Sequence, residues 1–358
     1  MKRRQKADGA VLVDELVTFI RRFVSLTPEQ ACVCAFWAVH THAIGAADYT
    51  PYLNIYSALP RSGKTRLLEI LRMLVQKPWF TGRTTCSALM RRINGIHPTL
   101  LLDESDTAFN SEREYSEALR GILNTGFERD GVASLSVKVG GNWKSSDLST
   151  FCPKAIAGIG HLPSTIGDRA IPIELERQAK NKNVERLKKR KIQPEGTSLQ
   201  KRISGWVKRN TKTLKQADEP PLPQQLNDRQ QDVCEPLVAI ADLIGGSWPN
   251  ALRQSIVTLC ANSASQDEDP HVRLLKDMRR IFTAGKPDRI STQDALAELN
   301  ADETAPWSEY ARGRPLSATQ LASLLKPLKI YPQTIRVGNT TPKGYRKLDF
   351  KDAWSKYL

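Results

Sequence analysis

Tyr52-Leu53-Asn54-Ile55-Tyr56-Ser57, followed by Ala58-Leu59-Pro60-Arg61-Ser62-Gly63-Lys64-Thr65, is the stretch that decides the fold. The first run is rich in β-formers and reads as a strand. The second fits G-x-x-x-x-G-K-[ST], the Walker A pattern, with Ala58 in the first position. Such a loop wraps a phosphate in backbone N–H groups, so Gly63 keeps a Cβ away from the approaching anion. Lys64 reaches the β- and γ-phosphates of ATP, and the Thr65 hydroxyl ligates Mg²⁺. Ser62 and Arg66 complete the nucleotide-binding set. Leu67, Leu68, Ile70, Leu71 and Leu74 then space a helix whose positive end faces the phosphates.

Thr99-Leu100-Leu101-Leu102-Asp103-Glu104 supplies the second half of such a site. An unbroken apolar run is what a strand buried on both faces looks like. Its acidic tip falls beyond the carboxyl end of the strand, where open α/β sheets bind ligands. Asp103 is expected to hold Mg²⁺ and Glu104 to polarise the attacking water. Asp106 is read as a solvated or capping residue rather than a further acid of the site.

Outward from these motifs, strands are expected at 154–159 and 170–175, helices at 64–76 and 112–127, and a hairpin at 132–144. Strands alternating with helices imply an α/β domain with a largely parallel sheet. Residues 11–24 carry apolar positions at helical spacing. Thr27-Pro28-Glu29-Gln30 opens a second helix, with Thr27 as N-cap. His40 and His42 on it are two apart and do not face each other, so they are structural.

Composition shifts after Glu176. Residues 177–215 hold 14 Lys or Arg against two acids, Glu185 and Glu195. A helical region follows at about 226–263. Helices 270–283, 291–299 and 317–326, with strands at 334–337 and 345–350, form a winged-helix pattern. The net charge of +15 suits a polyanionic partner, nucleic acid first. The six cysteines form no C-x-x-C pair and read as buried free thiols of a reducing compartment. No signal peptide or bilayer-spanning run is seen, so a cytoplasmic protein with no membrane partner is expected.

The chain also resembles a P-loop family of phage, plasmid and integrative-element proteins that carries only a domain-of-unknown-function label. Its members are often joined to primase modules and are related to AAA+ and superfamily 3 helicases. The stretches that carry the resemblance include Trp37–His42, Tyr49–Leu53, Ser62–Glu69, Pro98–Glu104, Leu119–Asn124, Ala157–Pro163 and Ile166–Ile171. The resemblance implies an α/β P-loop core at 49–177, N-terminal helices packed on it at 1–48, a basic helical lid at 178–268 and a winged-helix domain at 269–358. It also implies a ring, expected to be a hexamer, whose sites lie between subunits. Arg169 is then the arginine a neighbour supplies, or else a residue that pairs with Asp168 or caps the strand. Arg253 is the candidate second sensor and Arg229 its competitor. His161 stands where the family pattern has a polar sensor.

For DNA, single-stranded or forked, three places are candidates. In the hairpin, Lys138 and Lys144 follow phosphates while Trp143 stacks on a base. The basic run 177–215 adds salt-sensitive affinity. In the winged helix, helix 317–326 reads DNA and Lys343, Arg346 and Lys347 form the wing. The expected activity is ATP-driven movement on DNA in mobile-element or phage replication. A DNA-binding initiator that uses ATP as an assembly switch, and an anti-phage defence ATPase, stay open as alternatives.

Overall fold

The computed structural model describes residues 2–109, 113–139, 142–160, 162–177, 184–217, 220–266, 270–284, 288–301, 305–310, 314–336 and 340–358. The chain divides into two compact units, Met1–Ser263 and Ala264–Leu358.

The first unit opens with helices α1 (Lys2–Phe23) and α2 (Pro28–Ala43). The Thr27 hydroxyl accepts from Gln30 N–H and the Gln30 side chain accepts from Thr27 N–H, the capping box expected there. Then come β1 (Tyr52–Ser57), α3 (Lys64–Leu74), β2 (Pro78–Thr81), α4 (Cys86–Ile96), β3 (Thr99–Leu102), α5 (Ser105–Phe109) and α6 (Arg113–Thr125). The hairpin β4 (Val132–Val139) and β5 (Asn142–Ser149) precedes β6 (Lys154–Ile159), α7 (Ser164–Gly167) and β7 (Ala170–Glu174). Helices α8 (Lys189–Lys215), α9 (Asp228–Ile244) and α10 (Trp248–Gln266) close the unit.

Five strands form one sheet in the order β2-β3-β6-β1-β7, every pair parallel. This is the parallel α/β sheet the alternating pattern called for. β1 and β3 are buried at every position, as uninterrupted apolar runs flanked on both sides should be. The antiparallel hairpin β4–β5 is a separate two-stranded sheet, and its second strand runs to Ser149, beyond the expected end at 144. β2 and α4 were not anticipated. Pro78-Trp79-Phe80-Thr81 is short and only Trp79 of it is buried, too little pattern to read as a strand.

One continuous core joins α1 and α2, the sheet and α8–α10, from Leu12 through Ile55, Leu101 and Trp206 to Cys260. The basic run 177–215 therefore has two sides. Leu199, Ile203, Trp206 and Val207 of α8 lie in this core, while its charges face out. The expected helical stretch at 226–263 is broken at Gly245 and Gly246, which take φ of 75° and 67°. All six cysteines are free, and all but the half-buried Cys86 are buried.

The second unit has its own core around Leu274, Trp307, Leu321, Tyr345 and Phe350. It contains α11 (Pro270–Thr283), β8 (Arg289–Ser291), α12 (Thr292–Asn300), α13 (Ala318–Leu325), β9 (Gln333–Thr334), β10 (Lys343–Arg346) and α14 (Lys347–Tyr357). Its sheet has three strands, β8-β10-β9, antiparallel throughout. Two expectations are corrected. The strand expected at 345–350 ends at Arg346, because Phe350 and Ala353 are spaced to bury one face of α14. Lys347 is thus the first residue of a helix, not part of a wing. Val337–Asn339, the middle of the expected wing, lie outside the described residues.

Among the described residues, no helix is long and apolar enough to cross a membrane.

Candidate nucleotide site

β1 ends at Ser57 and the chain turns through Ala58–Gly63 into α3. Gly63 takes φ +99° as the N-cap of α3, a conformation L side chains rarely adopt. A Cβ on Gly63 would meet nothing nearer than Val24 Cγ1 at 4.0 Å. The space above the glycine is open, where the sequence reading puts an anion. Arg61 also has positive φ, +64°, which costs a non-glycine residue about 1–2 kcal/mol.

Side chains brace the bend from inside. The Ser57 and Ser62 hydroxyls both donate to the Leu59 carbonyl, at 2.7 and 2.6 Å. The Lys64 ammonium donates to the Ser57 hydroxyl at 2.5 Å. Ser57 was not anticipated in the site, although it directly precedes the motif. Burial pushes the Lys64 ammonium below the usual lysine range, and the carboxylates of Asp106 and Asp103 act against that.

Asp103 follows β3 directly and Asp106 lies in the first turn of α5. Only β6 separates β3 from β1, so the two strand tips are about 10 Å apart. The sequence thus brings Lys64 and Asp103 to the same end of the sheet. Asp103 N–H donates to the Thr81 carbonyl at 2.9 Å, and Asp103 Oδ1 accepts from Glu104 N–H at 3.1 Å. Glu104 takes φ +57° and is exposed. Asp106 Oδ1 accepts the Ile159 N–H at 3.1 Å, so this residue latches α5 to the end of β6. Gly158 makes the latch possible: a Cβ there would lie 2.2 Å from Ser105 Oγ.

A cavity of about 500 Å³ lies against the loop. Arg61, Ser62, Gly63, Lys64, Thr65 and Arg66 line it, and Phe23, Val24, Glu176 and Val184 close it from elsewhere in the chain. The latter come from distant segments, which motif spacing has no means of indicating. Ala58 is exposed. Among the described residues no three His, Cys, Asp or Glu gather into a metal-holding group. A Mg²⁺ held by one hydroxyl, one carboxylate, phosphates and water requires no such group.

Other expected residues lie elsewhere. Tyr52 N–H donates to the Arg169 carbonyl at 3.0 Å, so Arg169 sits at the amino end of β1, about 17 Å of strand from the loop. Its guanidinium lies over the Phe127 ring, 4.7 Å from the centroid, and donates to the Thr165 carbonyl. It does not pair with Asp168; Arg229 does, at 3.9 Å. Arg253 forms a two-pronged pair with Asp242, both bonds 2.7 Å, and donates to the Pro221 and Pro249 carbonyls. Its fork thus braces α9 to α10, and neither Arg253 nor Asp103 or Glu104 lines the cavity.

In the hairpin, Lys138 stands opposite Trp143 and Lys144 opposite Val137. The side chains of Lys138, Trp143 and Lys144, and all of His161, lie outside the described residues. Lys343 is exposed on β10, and Arg346 pairs with Asp349 at 3.2 Å.

The fold and the site define an α/β protein with a parallel five-stranded sheet, a braced loop at the tip of its β1 strand and carboxylates at the tip of β3. The chain belongs to the family described as "Protein of unknown function (DUF3631)", whose model matches residues 174–357. That match starts at the last residue of β7, so the 58–65 loop stands on its own geometry. An "uncharacterized 28.9 kDa protein in xis 5'region" of Saccharopolyspora erythraea is 38% identical over 163 residues, 45% of this chain and 60% of the relative. The chain thus spans three fifths of that relative's length. Two solved structures of the NrS-1 C-terminal region align with 94% of this chain at 12% identity. They cover 75% and 74% of those chains, with TM-scores of 0.39 and 0.40.

Proposed function

We propose that this chain is a Mg²⁺-dependent ATP hydrolase that acts on DNA, as a ring of copies, in the replication of a mobile element or phage. The observation that carries the proposal is the glycine bend that opens an 11-residue helix at Lys64, at the same end of the sheet as the acidic tip of β3. Such a helix start favours anions through its unpaired N–H groups and dipole. The 58–65 loop takes the phosphates. Thr65 and Asp103 hold the metal ion, whose charge supports the phosphates while water attacks. Lys64 leaves the Ser57 hydroxyl for the β- and γ-phosphates, and Glu104 orients the water. Glu104's exposed position at the strand tip, in a conformation unusual for its side chain, suits that role.

The net charge of +15 and the outward charges of α8 support a nucleic-acid partner. The mobile-element setting, with a primase among the partners, rests on the family resemblance. It is in keeping with a relative named for its place in a xis 5′ region. The ring is part of the same proposal: Arg169 stands at the opposite end of β1 from the 58–65 loop, which suits an arginine given to a neighbouring copy.

ATP turnover with and without single-stranded DNA tests the reading. Stimulation by DNA that is lost in both Lys64→Ala and Glu104→Gln supports it. Full turnover in both variants overturns it.

A further inference from the structure

Helices α1 and α8 lie against each other and run in opposite directions. Glu15 takes both Nη atoms of Arg202, while Arg22, further along α1, pairs with Glu195, earlier in α8. Gly9 admits the Trp206 indole, since a Cβ on that glycine would stand 2.8 Å from Trp206 Nε1. Trp206 also lines a groove of about 590 Å³ between the two helices. The floor of the groove is apolar, made by Val11 and Leu12 of α1 with Gly205 and Trp206 of α8. Val11 is 52% exposed, although its neighbour Leu12 is buried in the core. Gly205 adds no side chain, and a Cβ there would meet only Arg209 Nη1, at 3.6 Å.

The rim of the groove is cationic, with Lys201, Arg202 and Arg209 all on it. Glu15 engages Arg202, and the charge of Asp8, which also lines the groove, favours the same guanidinium. Lys201 and Arg209 are exposed, and among the described residues neither pairs with an acid. They stand eight residues apart, about 12 Å along α8. An apolar floor between two uncompensated cations suits a ligand that alternates flat rings with phosphates. A duplex keeps its rings stacked and paired, whereas a single strand can turn one into a groove while its phosphates meet the rim.

We infer that the groove between α1 and α8 binds single-stranded DNA, seating a base on its apolar floor while Lys201 and Arg209 hold the flanking phosphates. The inference rests on the DNA reading above. It goes beyond the outward charges of α8 in giving α1 a share of the site and the base a seat of its own.

The test measures fluorescence anisotropy with a labelled oligothymidylate and with an abasic oligonucleotide of the same length, over a range of salt. The wild type is expected to bind the oligothymidylate about tenfold or more tighter than the abasic strand. Gly205→Leu fills the groove without touching its charge, and is expected to bind the two strands alike. Its urea midpoint should equal or exceed the wild type's, because glycine is a poor helix former. Val11→Ser strips the exposed part of the floor and should lose about threefold of the preference. Arg209→Gln should keep the preference, weaken both strands, and lower the slope of log affinity against log salt by about 0.7.

A full preference for the oligothymidylate in both Gly205→Leu and Val11→Ser overturns the inference, assigns the strand to another surface and leaves the DNA reading in place. So does a wild type that binds both strands equally, which makes the rim a surface for phosphates alone. If Gly205→Leu loses its fold, Val11→Ser decides by the same measurement. A wild type that binds neither strand overturns the groove and the DNA reading together.

Discussion

Lys64 and Lys154 belong to opposite ends of one sheet, and their surroundings differ in kind. Lys154, the first residue of β6, is fully buried, and among the described residues no carboxylate forms an ion pair with it. Its three donors meet the carbonyls of Gly126, Thr150 and Cys152 at 2.9, 3.0 and 2.9 Å, and it lies over the Tyr52 ring. Those carbonyls flank the two ends of the β4–β5 hairpin, so the lysine ties the root of the hairpin into the core. Lys64 is half-buried and leans on a single hydroxyl, and the charges of Asp106 and Asp103 favour its protonated form. A satisfied buried cation holds structure, whereas one left short of partners at the rim of a cavity is poised for a ligand. The same residue type serves both ends, and what separates them is how many donors the fold has already used.

The comparison breaks most sharply on function. Lys64→Ala is expected to lower ATP turnover by about 1,000-fold, since the charge it supplies acts on the transferred phosphoryl group. Its urea midpoint should stay near the wild type's. A large loss of stability would make Lys64 a structural residue like Lys154.

Lys154→Met keeps most of the volume but strands three carbonyls, and should cost about 3 kcal/mol in urea unfolding. An unchanged midpoint would show that the carbonyls find other partners and that the hairpin root needs no tie.

Also at the sealed end, His40 Nε2 and Thr50 Oγ1 are 2.9 Å apart just before β1. Burial pushes the His40 imidazole down to about 3 from an ordinary 6.5. Between those values the unfolded chain binds a proton that the folded chain refuses, so stability falls as pH drops through that window. From pH 6.5 to 5 the expected loss is about 2 kcal/mol from this group. Urea midpoints across that range check it, and a flat profile would mean the ring accepts its proton in place.

The smallest effect is expected at the open end. Gly158→Ala drives a Cβ against Ser105 Oγ and should cost about 1–2 kcal/mol while loosening Asp106 from the Ile159 N–H. Turnover should fall with it, whereas a variant with full stability would show that α5 shifts freely over β6.

Much of this was legible along the chain. The β1 and β3 strands read correctly because fully buried strands are continuous apolar runs, and β6 follows from Ala155-Ile156-Ala157 in the same way. Thr27 marks its helix start through a side chain that bonds within three residues. β2 escaped because a four-residue strand with one buried side chain carries no period. Arg253 was the candidate second sensor through the family resemblance; its engagement by Asp242 depends on how α9 and α10 cross. Asp106 read as a capping residue and does cap the end of β6, but its charge also bears on Lys64, which only the neighbouring strands reveal.

By itself, the sequence determined the parallel α/β sheet, the glycine bend before α3 and the acidic tip of β3. Each of these rests on local demands: a backbone angle, an apolar run, a helix start. Only the tertiary structure decided that β6 alone separates the two strand tips, that Ser57 braces the bend under Lys64, and that Arg169 lies at the far end of β1. Those are distances between segments far apart in the chain, set by which faces had to be buried together, and no local pattern encodes them.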